Sequence, residues 1–179
     1  AASDVYKRQL EMKGEIQSVV PMYMSRIAQL TNKSNQFNLT TKRYSQSDIE
    51  NVAADPDRIT LYGKLGDKFG DNGVVSIVIG RIDGDHRDEL HMELWLMSCR
   101  VLKRDMEFAM MDELVEKAKA AGIKKLVGYY YPTAKNAMVK EFYALQGFKK
   151  ITEDEAGNTV WEFMIDDSYK KKQHVIAVN

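Results

Sequence analysis

Residues 128–148 read GYYYPTAKNAMVKEFYALQGF, and this stretch decides the fold. The apolar and aromatic run over residues 125–131 predicts a strand, which ends at the polar gap that begins with Pro132. A helix is predicted over residues 136–146, because apolar residues recur there at helical spacing. Its apolar side comprises Val139, Phe142, Tyr143 and Leu145. The order of strand, gap and helix predicts that the helix packs against the sheet that contains the strand.

The rest of the chain supplies further strands and helices in a fixed order. Strands are predicted over residues 15–20, 59–65, 74–82, 89–99, 148–152 and 159–165. Helices are predicted after Pro21, from Ser45 to about Ala54, and from Asp105 to Gly122. The order β, α, α, β, β, β, α, β, α, β, β predicts an α+β fold in which helices pack against one sheet.

Composition limits the class of protein. A chain of 179 residues with 44% apolar content suits one compact domain. We place this domain at residues 11–165, after a leader over residues 1–10 that is disordered or foreign to it. Residues 166–179 are predicted to be a C-terminal tail, either loose or a last edge strand. Basic and acidic residues number 26 each, so net charge favours neither nucleic acid nor a membrane as a partner. With one cysteine and no secretory pattern, we expect the cytoplasm.

The predicted strand over residues 89–99 carries two candidate catalytic side chains. Strand alternation places Glu93 and Cys99 on one face, together with His91, Trp95 and Met97, unless a bulge intervenes. Glu93 is a candidate general base if it is partly desolvated, and the alternative is an edge-facing or ion-paired glutamate. Cys99 is a candidate nucleophile, because a helix N-terminus and basic residues follow it and stabilise a thiolate. The alternative is a small buried apolar residue.

Basic residues before the next helix are candidates for contact with a phosphate group. Arg100, Lys103 and Arg104 precede this helix, and helix N-termini bind anions through free N–H groups. Asp105 opposes this role, because as an N-cap it satisfies those N–H groups and its charge repels a phosphate. We therefore expect weak phosphate contact, and the sequence predicts no metal site.

Uncharged polar residues form another candidate site. Residues 31–41 have no usable period and are rich in amides and hydroxyls. Such a loop suits a hydroxylated or amide ligand, or equally the capping of its flanking helices. The predicted substrate-binding residues are Asn35, Gln36, Asn38, Thr40 and, from the later helix, Asn136. Tyr143 is predicted either to face the pocket as a general acid or to be an amphipathic core tyrosine.

Four stretches resemble the C-terminal region of FkbH-like proteins. They are residues 26–45 (RIAQLTNKSNQFNLTTKRYS), 67–73 (DKFGDNG), 96–107 (LMSCRVLKRDME) and 130–148 (YYPTAKNAMVKEFYALQGF). The resemblance covers about residues 11–165. It implies a GNAT-like fold, whose mixed, mostly antiparallel central sheet is flanked by helices. In this family an N-terminal HAD-like phosphatase domain precedes the GNAT-like domain. Characterised members dephosphorylate 1,3-bisphosphoglycerate and load the glyceryl unit onto an acyl carrier protein.

The resemblance also implies roles for individual residues. GNAT enzymes open the phosphate-binding helix with Arg or Gln, two residues, Gly, one residue, and Gly or Ala. Here Arg100 matches, whereas Lys103 and Asp105 replace the small residues, and this departure argues against ordinary acetyl-CoA binding. The tyrosine that is often the general acid falls on Tyr143. The splayed strands of such a fold suit a phosphopantetheine arm, whether or not coenzyme A carries it.

We therefore expect a GNAT-like domain that assists acyl transfer to the phosphopantetheine thiol of a carrier protein. Its expected ligand is a phosphopantetheine arm or coenzyme A, and its expected partners are an acyl carrier protein and the HAD-like phosphatase domain of the full-length protein. The alternatives are an acetyl-CoA-dependent N-acetyltransferase and a non-catalytic docking module. The phosphatase half is expected to be absent, because Asp83 and Asp85 of the Asp-x-Asp motif fall in a predicted hairpin turn.

Overall fold

The computed structural model describes residues 2–102 and 104–179, so Ala1 and the predicted phosphate ligand Lys103 lie outside the described residues. The described strands are β1 (Lys13–Gln17), β2 (Arg58–Asp67), β3 (Gly70–Ile82), β4 (Glu89–Met97), β5 (Lys125–Tyr130), β6 (Lys149–Glu153), β7 (Thr159–Met164) and β8 (Ala177–Val178). The described α-helices are α1 (Ala2–Gln9), α2 (Met24–Lys33), α3 (Gln46–Ala54), α4 (Met106–Ala120) and α5 (Phe142–Leu145). Short 3-10 turns lie at Pro21–Tyr23, Cys99–Val101 and Ala137–Val139.

All eight strands form one sheet, in the order β6-β7-β5-β4-β3-β2-β1-β8. Neighbouring strands are antiparallel, except that β4 pairs with β5 and β1 pairs with β8 in parallel. The predicted α+β fold with a mixed, mostly antiparallel sheet is confirmed. Because β4 and β5 are parallel neighbours, the chain must cross over between them, and α4 lies in that crossover.

Helices cover both faces of the sheet. On one face, α4 and α5 bury side chains such as Met110, Leu114 and Phe142 in a large apolar cluster. On the other face, Ile27 of α2 and Ile49 of α3 pack into a second cluster. Strand β4 contributes to both clusters, so its edge facing β5 lies at the centre of the molecule. No helix among the described residues combines the length and apolar character needed to cross a bilayer.

The predicted continuous helix over residues 136–146 is wrong. A 3-10 turn over Ala137–Val139 is followed by the short helix α5. Glu141 separates them with φ −104° and ψ 15°, outside the α-helical region. The break lets the consecutive rings of Phe142 and Tyr143 both pack against Trp95, with ring centroids 4.8 Å and 6.1 Å away. Tertiary packing of the two aromatic rings therefore overrides helical periodicity here.

The two terminal segments are ordered parts of the fold. Residues 2–9 of the predicted leader form α1, and Leu10 after it is buried. In the predicted tail, β8 pairs with β1, as the edge-strand alternative requires. The buried carboxylate of Asp112 on α4 accepts hydrogen bonds from the hydroxyl of Tyr169 (2.6 Å) and the backbone N–H groups of Lys172 (2.9 Å) and Gln173 (3.3 Å). This anchor holds the tail against α4.

Candidate functional site

Strands β4 and β5 diverge, and a segment of the chain itself fills the gap between them. Their parallel pairing runs only from Glu89 with Lys125 to His91 with Val127. Beyond that point lies the strap, which we define as residues 37–41. Three backbone hydrogen bonds hold it across the gap, from Leu39 N–H to the Trp95 carbonyl (3.1 Å), from Met97 N–H to the Phe37 carbonyl (3.0 Å) and from Tyr131 N–H to the Leu39 carbonyl (2.9 Å). The strap therefore bonds to β4 on one side and to the end of β5 on the other.

Buried amides fix the strap in place. The Asn136 side chain donates to the Asn38 carbonyl (3.0 Å) and the Tyr131 carbonyl (3.0 Å), and it accepts from Thr133 N–H (2.8 Å). The Asn38 side chain donates to the Ser34 carbonyl (3.1 Å), which ends α2. Both amides were predicted to bind substrate, but in this structure they bond within the protein. A role for them in substrate binding stays a prediction.

A β-bulge at Glu93 changes which residues of β4 share a face. In the pairing with β3, Leu94 lies opposite Ile79 and Met92 lies opposite Gly80, so Glu93 is the extra residue. After the bulge, Trp95 and Met97 join the cluster that contains Met92, on the face away from Glu93. The predicted common face for Glu93, Trp95, Met97 and Cys99 is therefore wrong, because the bulge reverses the alternation.

Glu93 is surrounded by cationic side chains. Its carboxylate forms ion pairs with Arg58 (2.8 Å) and Lys42 (3.2 Å), and Arg81 lies 3.8 Å away. The Tyr44 hydroxyl donates to it at 3.4 Å, and burial together with the nearby charge of Glu93 raises the pKa of Tyr44. The ion-paired alternative thus describes Glu93 in this structure. Its role as a general base stays a prediction, and it requires a substrate to displace one of these cations.

A cavity of about 620 Å³ lies at the end of β4, and we call it the basic cavity. The charged residues described in its wall are all basic, namely Arg26, Lys33, Arg100 and Lys135. Its wall also contains Asn35, Gln36, Phe37, Met97 and Cys99. Cys99 is exposed, so the buried alternative for this thiol is wrong, and its Sγ donates to the Gln36 side-chain carbonyl at 3.1 Å. The structure therefore brings predicted nucleophile, amide and phosphate-binding residues to one cavity.

The basic residues before α4 are partly engaged elsewhere. Arg104 pairs with the buried Asp67 carboxylate at 2.5 Å, and Arg100 donates to the Asn72 carbonyl at 3.2 Å. Asp105 occupies the N-cap position but makes no capping hydrogen bond through its side chain, which instead pairs with Lys7 of α1 at 2.7 Å. The prediction that Asp105 caps α4 is therefore wrong. Its carboxylate and the Lys7 ammonium pair beside the start of α4, where the resemblance to GNAT enzymes predicts a pyrophosphate site.

The sequence predicts weak binding of acetyl-CoA, and we expect Asp105→Gly to tighten it by roughly threefold, because the variant removes a carboxylate near the helix N-terminus and frees the Lys7 ammonium paired with it. Asp105 also adopts φ 67°, a left-handed conformation that glycine accepts without cost. Asp105→Asn is the matched variant, because asparagine tolerates the left-handed conformation and removes the carboxylate charge, which likewise frees Lys7. Titration calorimetry measures both affinities. Unchanged or weaker binding by both variants contradicts the repulsion argument.

Tyr143 lies in the core. Its side chain is 1% exposed, and its ring packs on Gly128 of β5 and on Trp95, Phe142 and Phe148. Burial raises the pKa of its hydroxyl, which a backbone hydrogen bond from Tyr129 partly offsets. The core alternative describes this tyrosine in the present structure. A general-acid role stays a prediction, and it requires the aromatic side chains packed on the ring to move so that a substrate reaches the hydroxyl.

Sequence reasoning missed a second cavity, of about 460 Å³, which we call the His91 cavity. Its wall contains Thr40, Lys42, Arg81, His91, Met92, Glu93, Tyr129 and Tyr131. His91 Nδ1 lies 2.6 Å from the Tyr129 hydroxyl, and His91 Nε2 lies 3.1 Å from a Glu89 carboxylate oxygen. A histidine between a carboxylate and a hydroxyl is an arrangement that can move a proton. Strand alternation did place His91 beside Glu93, but only the β4–β5 pairing brings Tyr129 to it.

The two cavities divide the predicted site residues. Asn35, Gln36, Cys99 and Arg100 line the basic cavity, whereas Thr40 and Glu93 line the His91 cavity. Thr40 donates its hydroxyl to the Glu93 carbonyl at 2.7 Å, so the end of the strap is bonded to the bulge. No group of three His, Cys, Asp or Glu side chains suited to a metal ion occurs in residues 2–102 and 104–179.

Comparison with known proteins identifies the fold. No family model and no curated protein matches the sequence. A GNAT-family acetyltransferase from Streptococcus pneumoniae is similar in structure, with a TM-score of 0.67 and 16% identity over 86% of this chain and 100% of that one. The ribosomal-protein-S18-alanine N-acetyltransferase from Escherichia coli has a TM-score of 0.61 and 12% identity over 90% and 99%. A Salmonella typhimurium protein solved with its cofactor acetyl-CoA has a TM-score of 0.63 and 12% identity over 90% and 98%. These likenesses show that this chain is a GNAT-like domain in its fold.

Proposed function

We propose that this domain receives the phosphopantetheine arm of an acyl carrier protein in the basic cavity and assists acyl transfer to the thiol of that arm. The observation that carries the proposal is the basic cavity itself, in which an exposed thiol lies among four cationic side chains. A single phosphate group at the root of the arm matches this charge. The thiol at the other end of the arm matches the chemistry of Cys99.

The chemistry is a thioester exchange. The Cys99 thiolate attacks the carbonyl carbon of an activated acyl group, forms a C–S bond and expels the leaving group, which for an acyl phosphate is inorganic phosphate. The thiolate of the arm then attacks the same carbon, the bond to Cys99 Sγ breaks, and the acyl group leaves on the arm. The Gln36 amide oxygen, 3.1 Å from Cys99 Sγ, orients the thiol toward the cavity.

The arm of a carrier protein fits this chain better than free coenzyme A. Coenzyme A adds a pyrophosphate and a nucleotide, which in the resembling GNAT enzymes rest on a glycine-rich helix opening. Here Asp105 and Lys7 pair beside the start of α4, and Arg104 points to Asp67. These contacts argue against an ordinary acetyl-CoA-dependent N-acetyltransferase. They leave Arg26, Lys33 and Lys135 on the cavity wall to bind the phosphate of a shorter arm.

The assignment to the FkbH-like family remains part of this proposal. It rests on the sequence resemblance, and it implies that the acyl unit comes from a HAD-like phosphatase domain of a longer protein. The same setting places the domain in the cytoplasm, where carrier proteins and reduced thiols occur.

The proposal is tested by protection of Cys99. We expect S-methyl pantetheine 4′-phosphate, whose blocked thiol cannot consume the reagent, to slow alkylation of Cys99 by iodoacetamide, measured by mass spectrometry of the full chain. The double variant Arg26→Ala/Lys135→Ala should need roughly tenfold more ligand for the same protection, because each charged contact to the phosphate is lost. Lys149→Ala/Lys170→Ala removes the same charge from exposed positions outside the cavity wall and should behave as the wild type.

Two results would overturn the proposal. One is equal alkylation of Cys99 with and without millimolar S-methyl pantetheine 4′-phosphate. The other is an equal loss of protection in Arg26→Ala/Lys135→Ala and in the control Lys149→Ala/Lys170→Ala. That result would show that the net charge of the protein, and not the cavity, determines the protection. Titration with S-methyl coenzyme A in the same assay separates the arm from the whole cofactor, since tighter binding of the coenzyme A derivative favours the N-acetyltransferase alternative.

A further inference from the structure

We propose that the strap is displaceable and leaves the β4–β5 gap when a phosphopantetheine arm, whose thiol has taken the acyl group from Cys99, moves into the gap from the basic cavity. This inference rests on the proposed function and adds a gate to it. The strap occupies the gap through backbone groups, namely the Trp95 carbonyl, Met97 N–H and Tyr131 N–H. An arm built from two secondary amides offers donors and acceptors of the same kind. The same three groups can therefore serve the strap when the gap is closed and the arm when it is open.

The strap is the wall between the basic cavity and a smaller one. Phe37 and Met97 line both the basic cavity and an apolar cavity of about 110 Å³ below it. The smaller cavity is also lined by Leu102, Glu107, Phe142, Leu145 and Gln146. Withdrawal of Phe37 joins the two spaces. It also removes a ring that packs on Phe142, next to Tyr143, at a centroid distance of 5.3 Å.

Backbone strain marks the end of the strap. Thr41 has φ 54°, in the left-handed region, which a β-branched residue rarely adopts. Its hydroxyl is buried and has no hydrogen-bond partner among the described residues. Such strain is retained only where the surroundings enforce it, and it is typical of switch segments. Release of the strap frees Thr41 from this conformation and exposes its hydroxyl to water.

Buried polar atoms beside the strap lack partners in the closed state. Within the described residues these atoms are the Trp95 indole nitrogen, the Gln146 side-chain oxygen and one Glu107 carboxylate oxygen. Trp95 and Gln146 are fully buried. Burial raises the pKa of Glu107. An indole N–H, an amide oxygen and a carboxyl oxygen beside the strap are groups of the kind that bind the amides of an arm.

The closed state is nevertheless well held. Asn38 and Leu39 are fully buried, and Phe37 is nearly so. Asn136 ties the strap to residues 131–133 through three hydrogen bonds. Opening is therefore expected to be rare without ligand, and the arm must supply the contacts that the strap gives up. The equilibrium between the closed and open strap can therefore be shifted in opposite directions. Loss of the Asn136 hydrogen bonds favours the open strap, and relief of the strain at Thr41 favours the closed one.

Amide hydrogen exchange of the full chain, followed by NMR, tests the gate. Saturating pantetheine 4′-phosphate should raise the exchange rate of Leu39 N–H roughly tenfold or more, because this group leaves β4 with the strap, while Met97 N–H stays protected by the arm. Thr41→Gly removes the strain of the closed state and should lower the opening rate and weaken ligand binding by roughly fivefold. Asn136→Ala removes three hydrogen bonds that hold the closed strap, so it should raise the opening rate and tighten ligand binding. Asn158→Ala, in an exposed turn, is the control and should change neither.

The outcomes separate the gate from the proposed function. If the ligand protects Cys99 from alkylation but leaves the exchange of Leu39 unchanged, the strap is fixed and the gate is refuted while the function stands. If the ligand neither protects Cys99 nor changes exchange, the proposed function fails as well. If Asn136→Ala does not fold, Thr41→Gly alone decides, and equal exchange and affinity in this variant and the wild type refute the gate.

Discussion

Replacing Gly128 by alanine is expected to lower the free energy of unfolding by about 3 kcal/mol. A Cβ at this position would stand 2.7 Å from the Cε1 and Cζ atoms of the Tyr143 ring and 2.8 Å from its Cε2 atom. The ring cannot retreat, because Phe148 and Phe142 enclose it with centroid distances of 4.7 Å and 5.3 Å. The structure must therefore shift β5 or α5, and close-packed interiors resist both movements.

Urea denaturation measures this effect through the midpoint and slope of the unfolding curve. Gly84→Ala is the matched control, because nothing lies within 4 Å of a Cβ there, and its midpoint should shift by less than the equivalent of about 0.5 kcal/mol. A Gly128→Ala protein as stable as the wild type would show that the Tyr143 ring moves easily. Tyr143 would then be free enough to act as the predicted general acid.

Asp112→Ala is expected to destabilise the protein by about 3–5 kcal/mol and to release the C-terminal segment. The buried carboxylate accepts three hydrogen bonds, from Tyr169, Lys172 and Gln173, and alanine leaves all three donors without their partner. Limited proteolysis should then cut the chain within residues 169–179. Thermal unfolding measures the loss of stability. Asp167→Ala, which removes an exposed carboxylate paired only with Lys119 among the described residues, should leave both readouts unchanged.

The same anchor predicts a dependence on pH. Burial, the hydrogen bond to Asp112 and its charge all raise the pKa of Tyr169 above its usual value of 10.0. A hydroxyl whose pKa is raised by folding contributes stability that is complete below about pH 10 and is lost as the pH rises further. Release of the tail should therefore begin in strongly alkaline solution. Tyr169→Phe should abolish that step, and release at the same pH in this variant would contradict the assignment.

Local patterns in the sequence were sufficient for the sheet and most helices, because strands and helices differ in apolar period. They were insufficient for β4, where the bulge at Glu93 leaves the composition unchanged but reverses the faces of Trp95 and Met97. The position of the strap could not be predicted from the sequence either. Residues 31–41 have no period, and their placement depends on Asn136, almost a hundred positions later in the chain. Hydrogen bonds from side-chain amides to residues far away in the chain produce no pattern in the local sequence.

The candidate site was predictable only as a collection of residue types. Basic residues and a cysteine beside a helix start predicted an anion site, and Arg100 and Cys99 line the basic cavity, although anion binding there stays a prediction. Glu93 was expected beside the thiol, but the strap lies between their cavities. The contact between His91 and Tyr129 depends on the parallel register of β4 and β5, which only the three-dimensional pairing determines.

The position of the strap has a thermodynamic consequence. Phe37 forms part of the wall of the basic cavity, while Thr40, three residues later, forms part of the wall of the His91 cavity. A ligand that displaces the strap from one cavity changes the affinity for a second ligand in the other cavity if that ligand binds the two strap positions unequally, and reciprocity then requires the same factor in both directions. Saturation of one cavity would be measured as a changed dissociation constant at the other.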